Sequence, residues 1–376
     1  MRDRGLPLVD HHCHGVVPGD LDRRAFEGFI NEGFDPAPAG TSHFDSPVGL
    51  AVRRWCAPVL ELPPLPSPDE YLERRAELGA EEVHRRLLRS AGVEALLVET
   101  GYTAAADLLS PAAMGSLAAA PAHEVVRLEA VAEAVARRGV EAAAYADAVA
   151  RSLEQAATAA VGLKTVVAYR GGFGFDPTPP STREVADAAG RWLSTGDAPR
   201  LEDPVLLRHG IWTGAELARD RGLPLQIHAG YGDPDLTLHL TNPSLLTDLV
   251  RALGELAVDV VFLHCYPYHR EAGYLAAVFP NVYFDVGQAL NYTGPSAGRV
   301  LAEAMELAPF TKQLYSSDAF ALAELHYLGA VLFRRNLAAI LEDWVRRDEC
   351  SAVEADRIGE LLGRANARRI YPLERG

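Results

Sequence analysis

The sequence predicts an α/β protein, a (β/α)8 TIM-type barrel with helical insertions over its C-terminal face. Short β-like apolar runs alternate with longer Ala/Leu/Glu/Arg segments of helical period, the pattern of a parallel sheet with crossover helices. The runs number eight, and eight units of about 30 residues each match the size of such a barrel. Several runs end in a side chain able to bind a metal, as expected where strand ends converge on one mouth.

Strands are expected at Leu8 to Cys13, Ala95 to Glu99, Val125 to Leu128, Gly162 to Val167, Leu225 to Ile227, Asp259 to Leu263, Val282 to Val286 and Gln313 to Ser316. Helices are expected at Ala80 to Ala91, Ala130 to Arg138, Ala142 to Ala159, Leu206 to Arg221, Pro243 to Leu256 and Glu271 to Phe279, several closed by glycine. Two stretches exceed a simple βα unit. Residues 16–79 contain "CAPVLELPPLPSPDEYLERR", an irregular crossing with a helical tail, and residues 171–203 form a second Gly/Pro-rich insertion. Both follow strands, so both are expected to hang over the C-terminal face as lids and pocket walls of one domain spanning 1–376. Ala330 to Leu373 is helical in pattern and should pack outside the barrel.

The 376 residues are 48% hydrophobic and 23% charged, enough for a large core and unlike a disordered chain or a disulfide scaffold. A net charge of −15 argues against nucleic acid, which needs a concentrated basic face. Neither a long apolar span nor a signal-peptide pattern is seen, so a cytoplasmic protein with a small-molecule substrate and no membrane partner is expected; homo-oligomerisation is left open. Cys13, Cys56, Cys265 and Cys350 do not form a framework and are read as reduced thiols. Positive charge is almost all arginine, with Lys164 and Lys312 the only lysines.

The strongest chemical signal is "LPLVDHHCHG", an apolar run that ends in Asp10, His12 and His14 at alternate positions. Period two puts these three on one face and turns His11 and Cys13 away. Later runs repeat the device: "LPLQIHAG" ends in His228, "VVFLHCY" in His264 and "QLYSSDAF" in Asp318. Neutral imidazoles are good ligands for zinc and its neighbours, and a bare aspartate at the end of an apolar strand carries a desolvation cost that a cation offsets. Lys164, inside the fourth run, is expected to point into the barrel. There it serves as a cation toward substrate or, once neutral, as a carbamate bridging two metals; the residues do not choose between these. Tyr169 and Arg170, at the mouth after the fourth strand, are candidates for substrate binding, Arg170 through a bidentate grip on a carboxylate. Glu324, just past the eighth strand, is a candidate for meeting a substrate amine, with a charge at a helix N-terminus as its plain alternative.

Asp-x-His-x-His on the first strand, histidines ending the fifth and sixth and Ser-Asp ending the eighth resemble the amidohydrolase superfamily. The closer resemblance is to the amidohydrolase-type half of fungal and plant proteins fused to a glutamine-synthetase-like domain. It is carried by "RLEAVAE" (Arg127 to Glu133), "LKTVVAYR" (Leu163 to Arg170), "HAGYGDPDLTLHLTNPSLL" (His228 to Leu246), "YLAAVFPNVYFDVG" (Tyr274 to Gly287), "SSDAFALAELHYLGA" (Ser316 to Ala330) and "NARRIYPL" (Asn366 to Leu373), which span essentially the whole chain. The fused proteins continue past this point, so the barrel is expected to stand alone. The resemblance implies a divalent metal, zinc first, on His12, His14, His228 and Asp318, one ion being favoured and two allowed. It implies His264 as second-metal ligand or acid/base group.

The expected reaction is hydrolysis of an amide-type C–N bond in a small carboxylate-bearing substrate. Water activated by the metal attacks, His264 helps polarise the carbonyl, Asp318 carries the proton and Lys164 assists. Metal-dependent decarboxylation of a small unsaturated or aromatic acid and a non-catalytic binding barrel are the alternatives.

Overall fold

Seven short parallel strands, β1 (Val9–Cys13), β2 (Ala95–Glu99), β3 (Ala122–Arg127), β4 (Gly162–Thr165), β5 (Leu225–Ala229), β6 (Val260–His264) and β7 (Val282–Phe284), hydrogen-bond in chain order into one curled sheet. The structure is a computed structural model and describes residues 5–102, 107–196 and 200–374. All but β3 are buried along their whole length, as runs covered on both faces must be.

The eighth expected strand is present only as an irregular closing segment. Leu314 N donates to Phe284 O and Phe284 N to Lys312 O on the β7 side, while His11 N donates to Tyr315 O and Asp318 N to His12 O on the β1 side. A regular ladder stops there because the Ser317 amide turns to the Asp10 carboxylate instead, and Asp318 takes a left-handed φ of 46°. The segment still closes the barrel.

Alternate strand residues Val9, Leu97, Val125, Val261 and Leu263, with Leu314, fill the interior; Ala367, Ile370 and Tyr371 from the C-terminal helix Asn366–Ile370 and the residue after it pack with them. "NARRIYPL" therefore plugs the barrel, and Tyr371 reaches upward until its hydroxyl meets the Gln226 amide at 2.9 Å. Helix bounds follow local signals: Ala80–Ala91 ends at Gly92 in the left-handed region, and Pro68–Leu78 and Thr182–Leu193 each begin with a capping box, Ser67 with Glu70 and Ser181 with Glu184. The first insertion folds into the helices Arg23–Phe29, Pro47–Trp55 and Pro68–Leu78 and the turn Ala57–Leu60; the second supplies Thr182–Leu193, with 197–199 outside the described residues. The long helix Ala323–Arg346 packs on Ala80–Ala91 and Pro47–Trp55. Among the described residues no helix is long and apolar enough to cross a membrane.

Candidate metal centre and active site

Parallel register puts side chains of neighbouring strands at one level. Arg127 on β3 pairs with Lys164 on β4, and Lys164 with Gln226 on β5, so the three line one arc of the barrel wall. One step toward the C-terminal face come His228, opposite Leu263, and His264, opposite Ala229. β1 enters from the other side, with a register shift between Asp10 and Cys13.

Asp318 is the centre of the arrangement. Its Oδ1 lies 3.2 Å from His12 Nε2 and 3.5 Å from His14 Nε2, and its Oδ2 lies 3.4 Å from His264 Nδ1. Ligand atoms of His12, His14 and Asp318 all fall within 4.8 Å of one another. The tautomer of His12 suits a ligand. Gln226 gives its amide N–H groups to His11 O and Tyr371 Oη, so its Oε1 accepts from His12 Nδ1 at 2.9 Å and leaves His12 Nε2 as the lone pair facing Asp318. Burial holds His12, His228 and His264 well below the usual imidazole range, so they are neutral donors. His228 Nε2 is buried without a hydrogen-bond partner, and the ring stands 4.6 Å from His264 and 4.5 Å from Tyr169. Neutral nitrogens, one carboxylate and an orphaned buried lone pair fit a divalent transition metal. His12, His14 and Asp318 form the tight group, with His228 outside it beside His264.

The site is also strained. His264, Cys265 and Asp318 have φ of 68°, 57° and 46°, each costing about 1–3 kcal/mol in a non-glycine residue. Asp285, at the end of β7, holds part of this in place: its Oδ1 accepts from His264 N, Gly287 N and Ser316 Oγ, and its Oδ2 meets His11 Nε2 at 3.0 Å.

A family model for amidohydrolases matches residues 9–373. The chain belongs to the amidohydrolase family. A Lactobacillus casei structure described as a metal-dependent hydrolase is similar over 99% of this chain and 96% of its own, at 29% identity and a TM-score of 0.87. Uronate isomerase from Thermotoga maritima (14% identity, TM-score 0.63, 98% and 95% covered) and glucuronate isomerase from Caulobacter crescentus (15%, 0.62, 99% and 92%) share the fold. Protein fluG of Emericella nidulans is 34% identical over 228 residues, 58% of this chain; the match covers 26% of that longer protein.

Within this amidohydrolase, the expected sharing of a face by Asp10, His12 and His14 does not hold. The bulge in β1 inserts a residue, so His11 turns inward to Asp285 and Tyr371, while Asp10 lies with Cys13 and His326 and accepts from Ser317. Lys164 does point inward: it is 2% exposed, its Nζ is 3.0 Å from His12 Nε2, and burial lowers its pKa to about 8. Tyr169 packs on His228 as a wall of the cavity. One end of Arg170 is engaged elsewhere, while its Nε and Nη1 are buried without a hydrogen-bond partner. Its Nη2 is bound to Glu133 at 3.1 Å, and Glu133 also takes Leu201 N, so the pair pins the second insertion.

Glu324 is likewise placed elsewhere: it is fully buried and accepts from Arg75 Nε at 2.8 Å and Tyr71 Oη at 3.1 Å. Arg75→Met should therefore lower stability by about 3–5 kcal/mol, the cost of leaving a buried charge unpaired. In denaturant titrations the midpoint should fall while kcat/KM of the folded enzyme stays level; a large change in kcat/KM would return Glu324 to the substrate.

The sequence reading missed Glu99 and Arg127. Arg127 forms a two-point ion pair with Glu99 from Nε and Nη2, and Glu99 Oε2 is also 3.3 Å from His14 Nδ1. Burial pushes the Glu99 carboxyl up, but Arg127, His14 and Lys164 outweigh it and hold it at about 2. Both residues end apolar runs, "ALLVE" and "VVR", the same signal that marks the histidines.

Proposed function

We propose that this metal-dependent hydrolase cleaves an amide-type C–N bond in a small substrate that carries a carboxylate. The observation behind the reading is Asp318, a carboxylate whose side chain is 10% exposed, within 3.5 Å of three imidazoles at the end of the closing segment. Zinc suits a set of imidazoles with one carboxylate, and one ion on His12, His14 and Asp318, with His228 alongside, is favoured over two. When bound, the metal polarises the scissile carbonyl and lowers the pKa of water. Asp318 is placed to take a proton from the attacking water and return it to the leaving nitrogen. His264, 3.4 Å from Asp318, is assigned to face the carbonyl oxygen. Lys164 and the Arg127 nitrogen not engaged by Glu99 put positive charge on the wall beside His12, the place we assign to the substrate carboxylate in exchange for Arg170. The four cysteines are unpaired, which fits the cytoplasm as the compartment.

The test is product analysis. Metal-loaded enzyme incubated with N-acyl and γ-glutamyl amides should release amine, and strong chelator should abolish it. Release of CO2 from unsaturated or aromatic acids without amine from any amide would replace hydrolysis by decarboxylation. Full turnover in chelator would remove the metal from the reaction.

A further inference from the structure

Glu32 lies just after the helix Arg23–Phe29, in the insertion that follows β1. Its carboxylate accepts from the Tyr292 hydroxyl and the Gln288 amide, both on the helix Gly287–Thr293 that follows β7. These three residues thus join the two elements that flank the mouth where the barrel closes. Phe29, three residues before Glu32, packs on Phe320 with ring centroids 5.8 Å apart, and Phe320 packs on His14 at 5.8 Å, which sets this loop at the mouth beside the metal centre. Tyr231 and Tyr292 close this side of the wall with ring centroids 5.7 Å apart.

The neighbourhood is one acceptor too rich. Both hydrogen-bond partners of Glu32 are neutral, and the charges that act on it most are those of Asp318 and Asp233. Gln288 is 4% exposed, and its Oε1 is buried with no partner. That oxygen shares a carbon with the nitrogen that donates to Glu32, so a free acceptor sits beside the carboxylate. A carboxylate and an unsatisfied carbonyl side by side match a group that brings a positive charge and several N–H donors. Burial, with the Asp318 and Asp233 charges, raises the Glu32 carboxyl to about 7, the direction expected where a cation is wanting.

We propose that Glu32 and Gln288 form an ammonium-binding subsite of the active-site cavity, so that the substrate is an amino-acid-derived amide with a free amine as well as a carboxylate. The amide in this statement rests on the hydrolase reading above; the ammonium does not. With Arg127 and Lys164 on the wall beside His12 and Glu32 over the mouth, the cavity is bipolar and grips a zwitterion at both ends.

The experiment is calorimetric titration of the metal-loaded full chain with glycylglycine, L-glutamine and L-glutamate, each paired with its N-acetylated form. At least one free amine should bind tenfold or more tightly than its acetylated partner, about what one charge-assisted hydrogen bond supplies. Glu32→Gln keeps the size of the side chain and an acceptor for Tyr292, and should weaken the free amine by about 10–100-fold while leaving the acetylated form unchanged. Gln288→Leu should act in the same direction. Equal binding of both forms, binding by no free amine, or unchanged selectivity in both variants would overturn the subsite. Binding is read without turnover. Amine selectivity with no amide hydrolysed strikes only the hydrolase reading, and hydrolysis without amine selectivity strikes only the subsite.

Discussion

Asp318→Asn should leave the fold intact and lower kcat by about 10²–10⁴-fold, the usual share of a positioned acid/base group. The substitution is well matched to the backbone. Asp318 sits at φ 46°, where asparagine is tolerated far better than alanine, so lost activity is not confounded with relieved or added strain. Asparagine keeps an oxygen near His12 and His14 but cannot carry a proton from water to a leaving amine. KM should move less than kcat, because Lys164 and Arg127, which hold the substrate carboxylate, stay in place, although Lys164 loses the Asp318 charge that favours its protonated form. Steady-state kinetics with metal analysis on the same preparation is the check. A kcat within about threefold of wild type at equal metal content would take Asp318 out of the proton transfer.

The barrel and the inward histidines were legible because they follow from one rule: in a closed parallel sheet the ends of apolar runs meet. His12, His14, His228, His264 and Asp318 were found that way, and all five lie in one connected group. The rule fails where periodicity does. A bulge adds one residue without any mark in composition, so the alternation expected across Asp10 to His14 assigned His11 and Asp10 to the wrong sides. Arg170 and Glu324 have partners of a kind that periodicity does not reveal. Arg170 bonds Glu133, 37 residues away, and Glu324 bonds Arg75, 249 residues away, and such pairing between elements is a tertiary fact. Glu32 comes from an insertion loop with no period at all, and only packing against Tyr292 and Gln288 brings it over the mouth.

Lys164→Ala should cut kcat/KM by about 100-fold or more while leaving close to one metal per chain. Nζ stands 3.0 Å from His12 Nε2, inside the cavity rather than on its rim. As an ammonium it serves the substrate carboxylate, and it repels a second cation strongly across a few ångströms of poorly screened space. Its loss then costs substrate affinity and orientation, and KM should carry much of the effect. Lys164→Met, which keeps most of the volume, separates charge from packing: it should match the alanine variant in kcat/KM and exceed it in stability, since a void among buried side chains is costly. A carbamate on Lys164 makes the opposite forecast. His228, with its unpartnered Nε2, and His264 would then hold a second ion sharing an oxygen with the first. Wild type would carry two metals, both variants would lose one, and a short carboxylic acid in the buffer would restore metal and activity together. Metal counting on wild type and the two variants, with and without acetate, therefore decides how many ions the cluster of His12, His14, His228, His264 and Asp318 was built to hold.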